Sequence, residues 1–186
     1  MESFVGIDIG KDALVMARHD QRGAVTVANT PAGRQDLCRR LGHLQPQRIV
    51  VEGTGGLERA LRDELEDAGL PVIVVNPRQV AHLRQALGTP AKTDPLDAAL
   101  LARFAATVPL VEPVRRSANV RTLEALVSRR QQLQDQQHAE QCRLQQAQAA
   151  ALPSIERTVA FLATELKQVE TEITDLIAAD ADLQAK

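Results

Sequence analysis

The 186-residue chain contains no tryptophan, no tyrosine and only three phenylalanines. It therefore offers almost no aromatic faces on which unpaired bases could stack, and any contact with a nucleic acid has to run through charge and shape. Cysteine is nearly absent as well. Cys38 and Cys142 lie far apart without CxxC spacing, so neither a disulfide framework nor a thiolate zinc site is expected and both read as reduced thiols. The four histidines, His19, His43, His82 and His138, show no ligand spacing, which argues against transition-metal chemistry. No apolar run approaches the roughly 20 residues of a membrane span, and no basic segment followed by an apolar one opens the chain. A soluble, intracellular protein is expected.

What is present is 44% hydrophobic residues, enough for one core and an appendage, and a net charge of −2 that is unevenly spread. Residues 1–76 hold nine basic against eleven acidic side chains, residues 77–150 ten against six, and residues 151–186 three against seven. The middle of the chain is locally basic.

Apolar runs at 3–9 and 13–18, joined by Gly10-Lys11-Asp12, and a third at 25–28 after the Asp20–Gly23 turn predict a three-strand antiparallel meander. Thr30-Pro31 opens a helix carrying Leu37, Leu41 and Leu44, and Pro46 stops it. Ile49–Val51 and Val72–Val75 read as buried strands bracketing a helix over 57–68, a βαβ unit whose strands run parallel. Helices from Pro77 to Leu87 and from Asp94 to Thr107 complete a mixed α/β sheet domain, placed at 1–112.

Beyond Pro113 the composition changes, and 113–186 reads as a helical arm. Ser117–Ala151 is rich in Gln, Arg and Leu without Gly or Pro, and a second run reaches about Leu183. In the second run Val159, Leu162, Leu166, Val169, Ile173, Leu176 and Leu183 alternate in steps of three and four, broken only by Asp180. The expectation is two long helices forming an αα hairpin or coiled coil and a contact between subunits.

Four acids carry the chemistry. Asp8 sits inside the apolar strand VGIDIG, where an ionised carboxylate is expensive unless it is paired or binds a cation; a strand-end Asp capping the next turn is the alternative. Glu52 ends a second buried strand just before Gly53-Thr54-Gly55-Gly56, and functional groups gather at strand carboxyl ends in α/β sheets. Asp94 and Asp97 fall three apart at a helix start and so share one face, although Asp94 as N-cap, Pro95 at N1 and Asp97 at N3 also describe an ordinary helix beginning. Jointly, the four match the demand of two-metal phosphoryl transfer for hard oxygen ligands from several directions.

The ordered motifs Val5–Lys11 (VGIDIGK), Asn29–Gly33 (NTPAG), Val51–Gly56 (VEGTGG), Val74–Val80 (VVNPRQV), Ala91–Arg103 (AKTDPLDAALLAR) and Leu123–Leu133 (LEALVSRRQQL) resemble the N-terminal part of the DEDD transposases. That family includes the Piv-type invertases and the bridge-RNA-guided insertion-sequence recombinases, and the resemblance spans nearly the whole chain. It implies an RNase H/RuvC-like mixed five-stranded sheet with flanking helices, followed by a two-helix coiled-coil arm. It puts Asp8, Glu52, Asp94 and Asp97 on the family's four acidic positions, as catalytic ligands of Mg2+ or Mn2+. It also implies DNA as substrate, a structured guide RNA, a homo-oligomer and a bacterial cytoplasmic, nucleoid-associated setting. In the family a further domain supplies a serine nucleophile; the chain stops at Lys186, so it is expected to be an N-terminal portion, inactive alone.

Lys92, Arg78 and Arg84 flank the acids in sequence and are candidates for phosphate contact or for neutralising the carboxylates. Arg129 and Arg130, among the arginines of the first long helix, are candidates for a nucleic-acid backbone, with a solvated helix face as the alternative. Other readings remain at this point. The VGIDIG segment also resembles the first phosphate loop of actin-like sugar kinases, but Lys11-Asp12 follows it and the chain turns helical instead of forming a second lobe. A non-catalytic dimerising or nucleic-acid-binding module and a RuvC-like Holliday-junction resolvase complete the set.

Overall fold

A computed structural model describes residues 3–88, 93–111 and 115–185. The chain divides into two compact units, Met1–Arg115 and Arg116–Lys186. The expected division at 112/113 falls on residues 112–114, which lie outside the described ones.

In the first unit, strands β1 (Phe4–Ile9), β2 (Ala13–Arg18) and β3 (Ala24–Ala28) form the meander. Helix α1 (Pro31–Leu44) leads to β4 (Arg48–Glu52), α2 (Glu58–Asp67) to β5 (Val72–Val75), and α3 (Pro77–Ala86) and α4 (Asp94–Thr107) follow. The sheet order is β3-β2-β1-β4-β5. β1 pairs antiparallel with β2 and parallel with β4, and β4 pairs parallel with β5. This is the mixed five-stranded sheet of the RNase H/RuvC-like fold.

Strand periodicity assigns the two faces. Val5, Ile7 and Ile9 turn one way and pack with Leu14, Met16, Ile49, Val51 and Val72 under Leu37 and Leu41 of α1 and Leu61 and Leu65 of α2. The opposite face is covered by α3 and α4, whose Val80, Leu100, Leu101 and Phe104 cluster with Val50 and Val75. On that face β1 presents Gly6 and Asp8. A Cβ on Gly6 would meet Ala102 N at 2.2 Å and Ala98 O at 2.3 Å, so α4 lies directly on the strand backbone. Ala98 also packs with Val15 and Ala17, the β2 residues paired with Asp8 and Gly6.

Helix α1 begins as its sequence predicts. Thr30 is the N-cap and accepts from Gly33 N at 3.2 Å, and Pro31 occupies the first turn. Gln45 ends the helix in the left-handed region at φ 48°, immediately before Pro46.

In the second unit α5 (Ala118–Leu144) and α6 (Leu152–Ala178) pack as a hairpin through Leu126, Leu133, Leu162, Leu166, Val169 and Ile173. Two expectations are corrected. The first helix ends at Leu144 rather than Ala151, and the second ends at Ala178 rather than near Leu183. At the second break Asp180 accepts from the N–H groups of Asp182 and Leu183 and caps a short helix, α7 (Ala181–Gln184). The residue that interrupts the apolar series therefore restarts a helix instead of continuing one. Among the described residues no helix is long and apolar enough to cross a membrane.

Candidate functional site

The parallel register Gly6 to Val50 and Ile7 to Val51, carried one residue further, sets Asp8 beside Glu52 at the carboxyl ends of adjacent strands. Both belong to the face covered by α4, because they follow Gly6 and Val50 by two residues. Helix α4 brings its first turn, with Asp94 exposed and Asp97 buried, to the same place. Its amino end directs the positive pole of the helix at the acids.

The four acids are coupled electrostatically. Asp8 is pushed up from 3.8 to about 6, first by burial and then by the negative charges of Asp97, Asp94 and Glu52 in that order, against a hydrogen bond from Ile9 N–H. Burial first, and then the three nearby negative charges, thus raise the affinity of Asp8 for a proton.

The alternative of a plain helix start shifts by one residue. Thr93, extended at φ −146° and ψ 150°, is the N-cap without a side-chain cap bond, so Asp94 is the first helical residue rather than the cap. At that position Asp94 is still favoured by the helix dipole, as is Asp97 in the same turn.

Asp97 has a partner. Its Oδ1 accepts from Arg84 Nη2, on the last turn of α3, at 2.5 Å, and the two side chains are 11% and 23% exposed. Among the described residues no three His, Cys, Asp or Glu side chains converge tightly enough to hold a metal ion. Of the other basic candidates, Arg78 is exposed at the start of α3, just past the end of β5, where its N–H donates to Asn76. Lys92 lies outside the described residues. In the second unit Arg130 donates to Glu170 at 2.8 Å across the hairpin and Arg129 to Gln132 at 3.4 Å.

Two supports were not legible in the sequence. Asn29 Nδ2 donates to Gly10 O at 2.8 Å, and its Oδ1 accepts from Arg34, which also bridges to Glu64 at 2.7 Å. The turn that follows Asp8 is thus tied to α1 and α2. After Glu52, the loop closes on Glu58: Thr54 N, Thr54 Oγ1 and Gly56 N donate to its Oε2 at 3.1, 2.9 and 2.9 Å. Burial pushes the Glu58 carboxyl up, but these bonds and that of its own N–H outweigh it and hold the group below its usual range. Gly55 and Gly56 permit the clasp with φ of 74° and 129°. The NTPAG and GTGG segments were the available signals, and neither spells out its partner.

A comparison with curated proteins returned no significant match. The family model described as a transposase, for DEDD transposases of the IS110 type, matches residues 5–153, from the first residues of β1 to the start of α6. A match over that share of the sequence places the chain in the IS110-type DEDD transposase family.

Proposed function

We propose that this chain carries the carboxylate half of a metal-dependent DNA transposase site, with Asp8, Glu52, Asp94 and Asp97 as the residues that hold Mg2+ or Mn2+. The supporting observation is the arrangement of Asp8, raised to about 6 with three acids around it at the ends of two strands and one helix. The donor chemistry fits a hard cation: the set is all carboxylate oxygen, with no histidine or cysteine in it, and its repulsion is what a divalent ion relieves. When bound, the ion supplies Lewis-acid polarisation of a phosphodiester for strand cleavage and transesterification.

The chain's own residues do the rest. Asp8 and Glu52 fix two carboxylates on rigid neighbouring strands, and α4, seated on Gly6, fixes the approach of the other two. Arg78, at the start of α3 just past β5, is assigned contact with a DNA phosphate, and Lys92 is assigned the same role from its sequence position. RNA guidance and assembly into a homo-oligomer through the α5–α6 hairpin belong to this reading by family resemblance.

Binding and cleavage of duplex and branched DNA by the purified protein, with and without Mg2+, test the proposal. It predicts metal-dependent DNA binding that is lost in Asp8→Asn. Binding that ignores both the metal and this substitution would overturn it. Cleavage of branched DNA by this chain alone would instead favour a resolvase.

A further inference from the structure

The ion pair between Arg84 and Asp97 is not explained by holding a metal, and it occupies an oxygen that the proposed site needs. It joins the last turn of α3 to the first turn of α4, part-buried on both sides, at a distance of 2.5 Å. A guanidinium and a divalent cation both seek carboxylate oxygen and repel each other at contact distance, so they compete for Asp97 Oδ1. Arginine stays charged throughout and cannot leave by losing its proton. It can only exchange partners.

We propose that Arg84 is an exchangeable counter-cation: it holds Asp97 until a divalent ion takes that oxygen, and the released guanidinium then grips a backbone phosphate of the nucleic acid. The inference rests on reading the four acids as a metal site. The position of Arg84 favours it. It sits on α3, the helix that follows β5, and so stays beside the acidic cluster after exchange. Planar, forked donors suit a phosphodiester, which also brings the negative charge that a metal-loaded cluster leaves wanting. Metal and nucleic acid would then reinforce each other's binding, by the same factor in either order.

The test measures Mn2+ affinity calorimetrically for the wild type, Arg84→Gln and Arg84→Lys without nucleic acid, and then duplex DNA affinity with and without Mn2+. Removing the competitor is expected to tighten Mn2+ binding by about fivefold to tenfold in R84Q and by less in R84K. The Mn2+-dependent gain in DNA affinity expected of the wild type should be smaller in R84Q. Unchanged or weaker Mn2+ binding in a folded R84Q overturns the exchange and leaves Arg84 as a residue that merely positions Asp97. If R84Q does not fold, R84K decides by the same criterion. A wild type that binds no Mn2+ defeats the carboxylate reading and this inference together, whereas a wild type that binds it and an R84Q that binds no better defeats the inference alone.

Discussion

A Cβ on Gly6 would lie 2.2 Å from the backbone nitrogen of Ala102. No side chain can retreat from that collision, since the atoms that the Cβ would meet are all main chain. The contact fixes how far α4 can slide along β1, and hence where its first turn meets Asp8. Gly6→Ala should therefore destabilise the first unit by about 2–3 kcal/mol or prevent its folding, as overpacking against an immovable neighbour does. Chemical denaturation followed by circular dichroism checks this, and an unchanged midpoint would mean that α4 is not seated as described.

The charge on Asp8 works against the fold. Its pKa is raised in the folded chain, so the folded state holds the proton more tightly than the unfolded state. Stability is then fullest below about pH 4 for this group and falls as pH rises through about 6. Asp8→Asn should remove that dependence. With divalent ions chelated, the variant should be more stable than the wild type at pH 7.5, by about 1–2 kcal/mol after allowance for the half-exposed position, with the difference vanishing near pH 4. Thermal melts across this range measure it, and a variant less stable than the wild type at pH 7.5 would contradict the electrostatic account.

Asn29 touches none of the four acids, yet it ties the Gly10 carbonyl to Arg34 and through it to Glu64. Asn29→Ala should cost about 1–2 kcal/mol of stability. It should also loosen the turn behind Asp8, so that Mn2+ affinity falls although no ligand is altered. Affinity equal to wild type in a folded variant would confine Asn29 to a structural role.

Leu133 is the most buried residue of the hairpin, at 1% exposure. Leu133→Ala should destabilise the second unit by about 2–4 kcal/mol. The exposed pair of Arg130 and Glu170 should contribute no more than about 0.5 kcal/mol in a double-mutant cycle. Helicity measured against urea separates the two effects.

The sequence made the five strands legible because β-branched runs and turn residues alternate cleanly, and α1 because Thr30-Pro31 and Pro46 bracket it. That Asp8 lies near the carboxyl end of one apolar strand and Glu52 at the end of another was legible too. What stayed hidden depends on distant partners. Arg84 meets Asp97 across thirteen residues and Asn29 meets Gly10 across nineteen, and neither spacing has a periodic signature. The end of α5 at Leu144 was equally illegible, because Gln145–Ala151 contains only residues that tolerate a helix and the reversal is imposed by the seam of α5 against α6.

The central claim is that Asp8, Glu52, Asp94 and Asp97 form one cation site. Mn2+ titration of the wild type, Asp8→Asn and Asp97→Asn at pH 7.5, read by electron paramagnetic resonance, tests it most directly. The account predicts saturable binding in the wild type that weakens at least about tenfold in each variant. Equal binding by all three proteins would contradict it.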